Sequence, residues 1–242
     1  MALAAIALAL VADPNPDRQD QLRRLAKVLL ASSLTTVQLL AASIALATLG
    51  GIAVGWARVS RAGWLQFLGA AYADAVRGIP LYVLLLFVYF VVGGWLSRTT
   101  DGGVILSSFW AAVAGLSVCY SAYIGEVIRA GIQAIPPEEI EAAALEGTRA
   151  QSFAYVILPQ AFRIILPSWT NELVAMLKDT SLVSAVALAD MTFRAREFGS
   201  STGLYFEALG GAALVYLVFT LILTQVAQWL ERVCALDRPS GN

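Results

Sequence analysis

An amide and a carboxylate stand side by side in the middle of a long apolar stretch: Asn171 and Glu172, within residues 152–189. If a membrane span starts near Phe162, Asn171 lies about 14 Å in, close to the bilayer midplane. Polar groups at that depth are costly unless they face protein or water. Pro167 lies just upstream and frees backbone carbonyls nearby. Broken helices with polar groups at mid-depth are where transporters hold substrate. The alternative is interhelical hydrogen bonding within a helix bundle.

Two ionic pairs have helical spacing. Glu126 and Arg129 are three apart, at the end of the uncharged run 104–125. They read as an interfacial ion pair, or else Glu126 faces a water-filled path. Asp74 and Arg77 are also three apart, just before Gly78-Ile79-Pro80. Either 62–78 is an interfacial helix and the span begins at Pro80, or the span begins earlier and Arg77 lies in the membrane as a functional candidate. Lys178 reads as a snorkelling lysine. Asp179 reads as the N-cap of a helix beginning at Thr180. The chain has no histidine, and its two cysteines, Cys119 and Cys234, sit in apolar surroundings. That argues against a zinc site, a Cys/His nucleophile or a disulfide framework. An intramembrane enzyme would have to use Glu126, Glu172 or Asp179 as acid or base, and no nucleophile or metal set accompanies them.

A third group lies in the polar segment 135–151. Pro136 and Pro137 suit a first helical turn. Glu138, Glu139 and Glu141 place negative charge at the positive end of the helix dipole. Gly147 suits a left-handed stop. Thr148-Arg149-Ala150-Gln151 then has the spacing of a capping box, a second helix start. The segment therefore reads as two short helices bent at Gly147-Thr148. Ile140, Ala143 and Ala144 share one nearly flat face that another protein's backbone could approach.

The elements that carry these groups are helical and membrane-spanning. Hydrophobic residues make up 59% of the chain and charged residues 14%, with net charge −1. Several uncharged stretches reach the roughly 20 residues that a spanning helix needs. Expected spans are 28–57, a second within 62–96, 104–125, a bent fourth within 152–189, and 208–230. The fold class is thus all-α, a polytopic membrane protein with about five transmembrane helices. Residues 1–27 form an N-terminal segment, with a surface helix at 17–27; 28–235 form the transmembrane domain; 236–242 form a tail. Residues 190–203 read as a polar connection. Gly50, Gly51 and Gly55 should permit close helix packing. No basic run suggests nucleic acid. The positive-inside rule is a tie and leaves orientation open.

Glu141-Ala142-Ala143, three residues, Gly147, then Leu158-Pro159 resembles the EAA loop of bacterial ATP-binding-cassette (ABC) import permeases. Arg77-Gly78-Ile79-Pro80, the run 122–132 from Ala122-Tyr123-Ile124-Gly125-Glu126 onward, Ile157-Leu158-Pro159-Gln160-Ala161, and Asn171 with Lys178-Asp179-Thr180-Ser181-Leu182 are similar to the polar amino-acid uptake family. The match is collinear over roughly 28–235. One departure stands out: eight residues separate Gly147 from the Ile-x-Leu-Pro group, whose first place is Val156, where the family has nine.

The resemblance implies a type I importer permease subunit with a cytoplasmic coupling helix. It implies pairing with a second permease, a copy or a paralogue. Two ATP-binding cassette ATPase subunits would dock on Glu141, Ala142, Ala143 and Gly147, and an extracytoplasmic solute-binding protein would deliver the amino acid. The substrate path would involve Asn171, with Glu172, Arg77 and Glu126 as further candidates. An acidic neighbour favours polar or basic amino acids. The chain has no Gly-x-x-x-x-Gly-Lys-Ser/Thr loop, so it is expected to bind no cofactor itself, ATP and Mg being used by the partner ATPase. The implied location is the bacterial inner membrane, with the N-terminus outside and the C-terminus cytoplasmic. A permease for another small solute, or a channel, are the alternatives.

Overall fold

The computed structural model describes residues 16–103, 105–146 and 148–235, and among them no strand occurs. Gly147 therefore lies outside the described residues, as do the segment 1–15 and the tail 236–242. Helix α1 runs Pro16–Val59, α2 Gly63–Gly78, α3 Leu81–Thr99, α4 Ser108–Gln133, α5 Pro137–Glu146, α6 Arg149–Ser152, α7 Leu158–Asp179, α8 Met191–Thr202 and α9 Tyr205–Ala235. Phe87–Val92 within α3 and Phe153–Ile157 between α6 and α7 are π-helical, and Thr180–Val186 continues α7 as a 3-10 helix.

The boundaries follow from local chemistry. Pro16 opens α1 where a missing amide costs nothing, and Asp17 sits in its first turn. The expected surface helix 17–27 and the first span are one helix of 44 residues. At about 1.5 Å per residue it extends about 66 Å, roughly twice the hydrocarbon thickness. α2 stops where Pro80 forces Ile79 into extended backbone, at φ −97° and ψ 128°. The break falls where the sequence places it, and Arg77 ends up in the last turn of α2.

Among the described helices α1, α3, α4 and α9 are long and apolar enough to cross a bilayer. α7, within the expected fourth span, has 22 residues but carries Arg163, Glu172, Lys178 and Asp179, and is less apolar than the others. One expectation changes. Asp179 makes no capping hydrogen bond, because α7 passes into the 3-10 turn without a break. The polar connection 190–203 is mostly helix α8, capped by Asp190, whose carboxylate accepts from the backbone N–H groups of Thr192 and Phe193.

Contacts group the described residues into two compact units. The first takes the described parts of Met1–Ser43, Leu81–Leu116 and Met176–Ile222. Its core packs Leu25 and Leu29 of α1 against Met191 and Ala195 of α8 and Ala208 and Ala212 of α9. Arg18 and Glu207 form an ion pair at one end of this packing.

The second unit takes Ile44–Pro80, Ser117–Ala175 and the described part of Leu223–Asn242. Here α1 and α4 approach closely through glycine. A Cβ on Gly51 would fall 2.5 Å from Ile124 Cγ2, and one on Gly55 2.7 Å from Ile128 Cγ2. Any larger residue would push the helices apart. Polar side chains add ties: Tyr72 Oη donates to the Val118 carbonyl at 3.0 Å, and Trp169 Nε1 to Thr48 Oγ1 at 3.0 Å. Thr170 Oγ1 lies 2.9 Å from Glu231 Oε1.

Candidate functional site

In the polar segment the acidic first turn and the second helix start fall where the sequence places them, while the expected stop at Gly147 lies outside the described residues. Glu138 and Glu139 occupy the first turn of α5. The capping box forms: the Thr148 amide donates to Gln151 Oε1 at 2.9 Å, and the Gln151 amide to Thr148 Oγ1 at 3.4 Å. Glu141 and Ala142 are exposed. Ala143 is only 9% exposed, so the chain itself covers the residue expected to present a flat face outward. The cover is α6, whose buried Ser152 donates its hydroxyl to the Ala143 carbonyl at 2.7 Å.

The exposed residues of α5 include Glu138, Glu141, Ala142 and Leu145, a set at i, i+3, i+4 and i+7, together with Glu139 and Ile140. Leu145 is 90% exposed, an isolated apolar knob among acidic neighbours. Of the face expected to point outward, Ile140 is exposed and Ala143 is covered; Leu145, also within reach of the helical period, is not among the residues expected there. α6, the π-helical turn and α7 continue from this joint without a break. The residue before Ile157, Val156, where the spacing departs from the family pattern, lies inside that π-helical turn. Along this helical path Asn171 lies about 28 Å from Ser152.

A second constellation gathers on α1, α2 and α4. Glu126 sits among three arginines. Arg129 donates through Nε to Oε1 at 3.0 Å and also through Nη2. Arg58 Nη1 is 3.1 Å from Oε2, and Arg77 Nη1 is 3.6 Å from it. Arg58 also reaches Asp74 Oδ1 at 4.0 Å. Arg77 thus pairs across helices with Glu126 and lies over the Tyr123 ring, 5.8 Å from its centroid. The expected Glu126–Arg129 pair is present, and the cluster extends beyond it.

Arg58 was not singled out by sequence reasoning, but a signal existed. It is the first charge after the uncharged run 28–57, as Glu126 is after 104–125. Two helices in close contact must bring such residues to one level. The Arg58–Glu126 contact is an ion pair without hydrogen-bond alignment, since Arg58 Nη1 and Glu126 Oε2 are buried and lack an aligned partner among the described residues.

The structure therefore brings Arg77 and Glu126 together, whereas Asn171 and Glu172 lie on α7. Asn171 is exposed and Glu172 half-buried. Their neighbour Thr170 is buried.

The family model described as "Binding-protein-dependent transport system inner membrane component" matches residues 47–234. The chain is 36% identical over 197 residues to the Bacillus subtilis protein named "Probable glutamine ABC transporter permease protein GlnM", covering 80% of this chain and 88% of that one. It is 34% identical over 198 residues to the arginine transport system permease protein ArtQ of the same organism, covering 81% and 88%. It is 32% identical over 202 residues to the glutamate/aspartate import permease protein GltK of Escherichia coli, covering 81% and 89%. Among solved structures, a crystal structure of an amino acid ABC transporter with histidines superposes with a TM-score of 0.76 at 33% identity, covering 86% of this chain and 95% of that chain. The MetNI methionine ABC transporter, in an inward-facing conformation, shares the fold with a TM-score of 0.72 at 18% identity, covering 88% and 98%. The chain belongs to the family of binding-protein-dependent transport system inner membrane components, the multi-pass permease subunits of ABC importers.

Proposed function

We propose that this permease forms the translocation path of an amino-acid importer and that α5 is the element on which a partner ATPase acts. The single observation that carries the coupling role is the construction of α5. It presents Glu141, Ala142 and a 90% exposed Leu145 outward, while Ala143 is tied inward to Ser152 at the head of the α7 helical path. A force applied to α5 reaches the helix that bears Asn171. The related permeases are named for glutamine, arginine and glutamate/aspartate, which favours a polar amino acid as cargo. The Glu172 carboxylate beside Asn171 favours an ammonium or a cationic side chain, in keeping with a polar or basic amino acid. ATP and Mg belong to the ATPase in this reading, and the permease binds no cofactor. Its partners are two ATP-binding cassette subunits, a second permease (copy or paralogue) and an extracytoplasmic solute-binding protein. In this reading α7 crosses as a fifth span beside α1, α3, α4 and α9, and with α5 in the cytoplasm the N-terminus lies outside and the C-terminus inside.

The test is uptake of labelled amino acids by the reconstituted complex with its ATPase and binding protein. ATP-dependent uptake of a polar amino acid supports the proposal; no uptake of any amino acid, with the binding protein saturated, rejects it. For orientation, single cysteines at Asn15 and Ser240, in a background lacking Cys119 and Cys234, are probed in intact cells. Labelling at 240 but not at 15 by an impermeant reagent reverses the topology.

A further inference from the structure

The end of α1, the start of α2 and the last turns of α4 enclose a cleft of about 370 Å³ in the second unit. Its polar walls are Arg58, Gln66, Arg129 and Gln133, and among the described residues no carboxylate lines it. Gln133 Oε1 already accepts from Arg129, so the amide NH2 is the group Gln133 has left to offer. Two guanidiniums and two amide NH2 groups make the cleft rich in donors. The ionic cluster behind it sets three arginines against Glu126 and Asp74, which leaves one positive charge over.

Depth narrows the ligand. Arg58 is the first charge after the uncharged run 28–57, and Arg129 follows the uncharged run 104–125 by one turn. The cleft therefore lies where two helices leave the hydrocarbon, at headgroup level. Its rim is apolar and open: Phe67 lines it and is 70% exposed, and Trp64, on the preceding turn, is 66% exposed. Aromatic side chains in that position suit the bilayer interface. A soluble anion would gain nothing from such a rim, whereas an acyl chain would. Basic pockets between membrane helices bind acidic lipid headgroups.

We propose that this cleft holds the phosphate group of an anionic phospholipid, with Arg58 and Arg129 as the charged contacts and Phe67 against the lipid chains. The lipid would brace the ends of α1 and α4 at the level of the Glu126 cluster.

The experiment uses the full-length permease assembled with its ATPase, in micelles titrated with phosphatidylglycerol or phosphatidylcholine, and reads bound lipid by native mass spectrometry and unfolding temperature. Wild type should retain phosphatidylglycerol in preference to phosphatidylcholine. Gln66→Glu adds a negative charge at an exposed position of the wall. It should cut that preference about fivefold. Ala70→Glu, also on the wall, should do the same and serves as the second variant. Equal retention of the two lipids by wild type, or an unaltered preference in both variants, overturns the proposal. So does inorganic phosphate in phosphatidylcholine micelles raising the unfolding temperature as much as phosphatidylglycerol does, because the ligand would then be a free anion.

Discussion

Ser152 Oγ lies 2.7 Å from the carbonyl oxygen of Ala143, nine residues earlier, and donates to it in a buried setting. The same hydroxyl is 3.1 Å from the Thr148 carbonyl, its alternative partner. One proton serves one acceptor at a time, and the shorter contact fastens α5 to α6. Ser152→Ala leaves the Ala143 carbonyl without this donor, at a cost of roughly 1–3 kcal/mol. The expected outcome is a permease that still assembles with its ATPase but shows weaker stimulation of ATP hydrolysis by the loaded binding protein. Stimulated hydrolysis at the wild-type level would mean that the bond does not transmit force.

Leu145 and Ala143 separate docking from folding. Leu145→Asp changes a 90% exposed side chain, so unfolding should stay within about 0.5 kcal/mol of wild type. ATPase binding should weaken by about 1–2 kcal/mol, roughly five- to thirtyfold, as for an apolar interface anchor. Ala143→Asp buries a charge beneath α6 and should lower the unfolding temperature even without the ATPase. Paired binding and melting measurements check both. The reverse pattern, with Ala143→Asp losing only docking, would restore Ala143 to the outer face.

Much of this arrangement was legible in the residues themselves. The prolines, acidic first turn and capping box of 136–151 are local signals, and local signals survive folding. The Ile79-Pro80 break is likewise a property of two adjacent residues. What escaped was set by neighbours in space. Ala143 is covered where its carbonyl meets Ser152, a residue of another helix. Arg58 gains its place through the contact of Gly51 and Gly55 with α4. Asp179 and Asp190 both offer capping carboxylates; only the extended backbone at Asp190, with ψ −178°, turns the carboxylate onto the next amides, while Asp179 stays helical.

Asp190 carries a pH signature. It is fully buried, and burial pushes its carboxyl above the ordinary range, although the amides of Phe193 and Thr192 and the Tyr216 hydroxyl pull the other way. A carboxyl whose folded pKa is raised favours folding most when protonated. Its contribution is full below the unfolded pKa and lost as pH rises through the folded one. The stability margin of wild type over Asp190→Asn should therefore shrink with rising pH across that window, measured by melting at stepped pH. A margin that grows with pH would show that the capping hydrogen bonds outweigh burial. Asp190→Ala, which removes the cap, should cost about 0.5–2 kcal/mol.

Asn171 is the remaining candidate for the substrate path. An amide that served only as glue within this chain would be buried against a neighbouring helix, as Thr170 is against Glu231. Asn171 is exposed, one residue further along α7. An amino acid brings a carboxylate and an ammonium into a site where water is scarce. One amide can donate to the first or accept from the second. Losing one hydrogen bond to a charged group costs roughly 1.5–3 kcal/mol, about 10- to 150-fold in affinity. In the reconstituted complex, Asn171→Ala should lower uptake by that order while assembly and basal ATP hydrolysis persist. Glu172→Gln should shift preference away from cationic substrates, because it removes the negative charge beside the amide. Uptake of neutral and basic amino acids is measured side by side for both variants. An unchanged rate and unchanged preference in Asn171→Ala would take this residue out of the path and leave the exposed amide to the contact with the second permease.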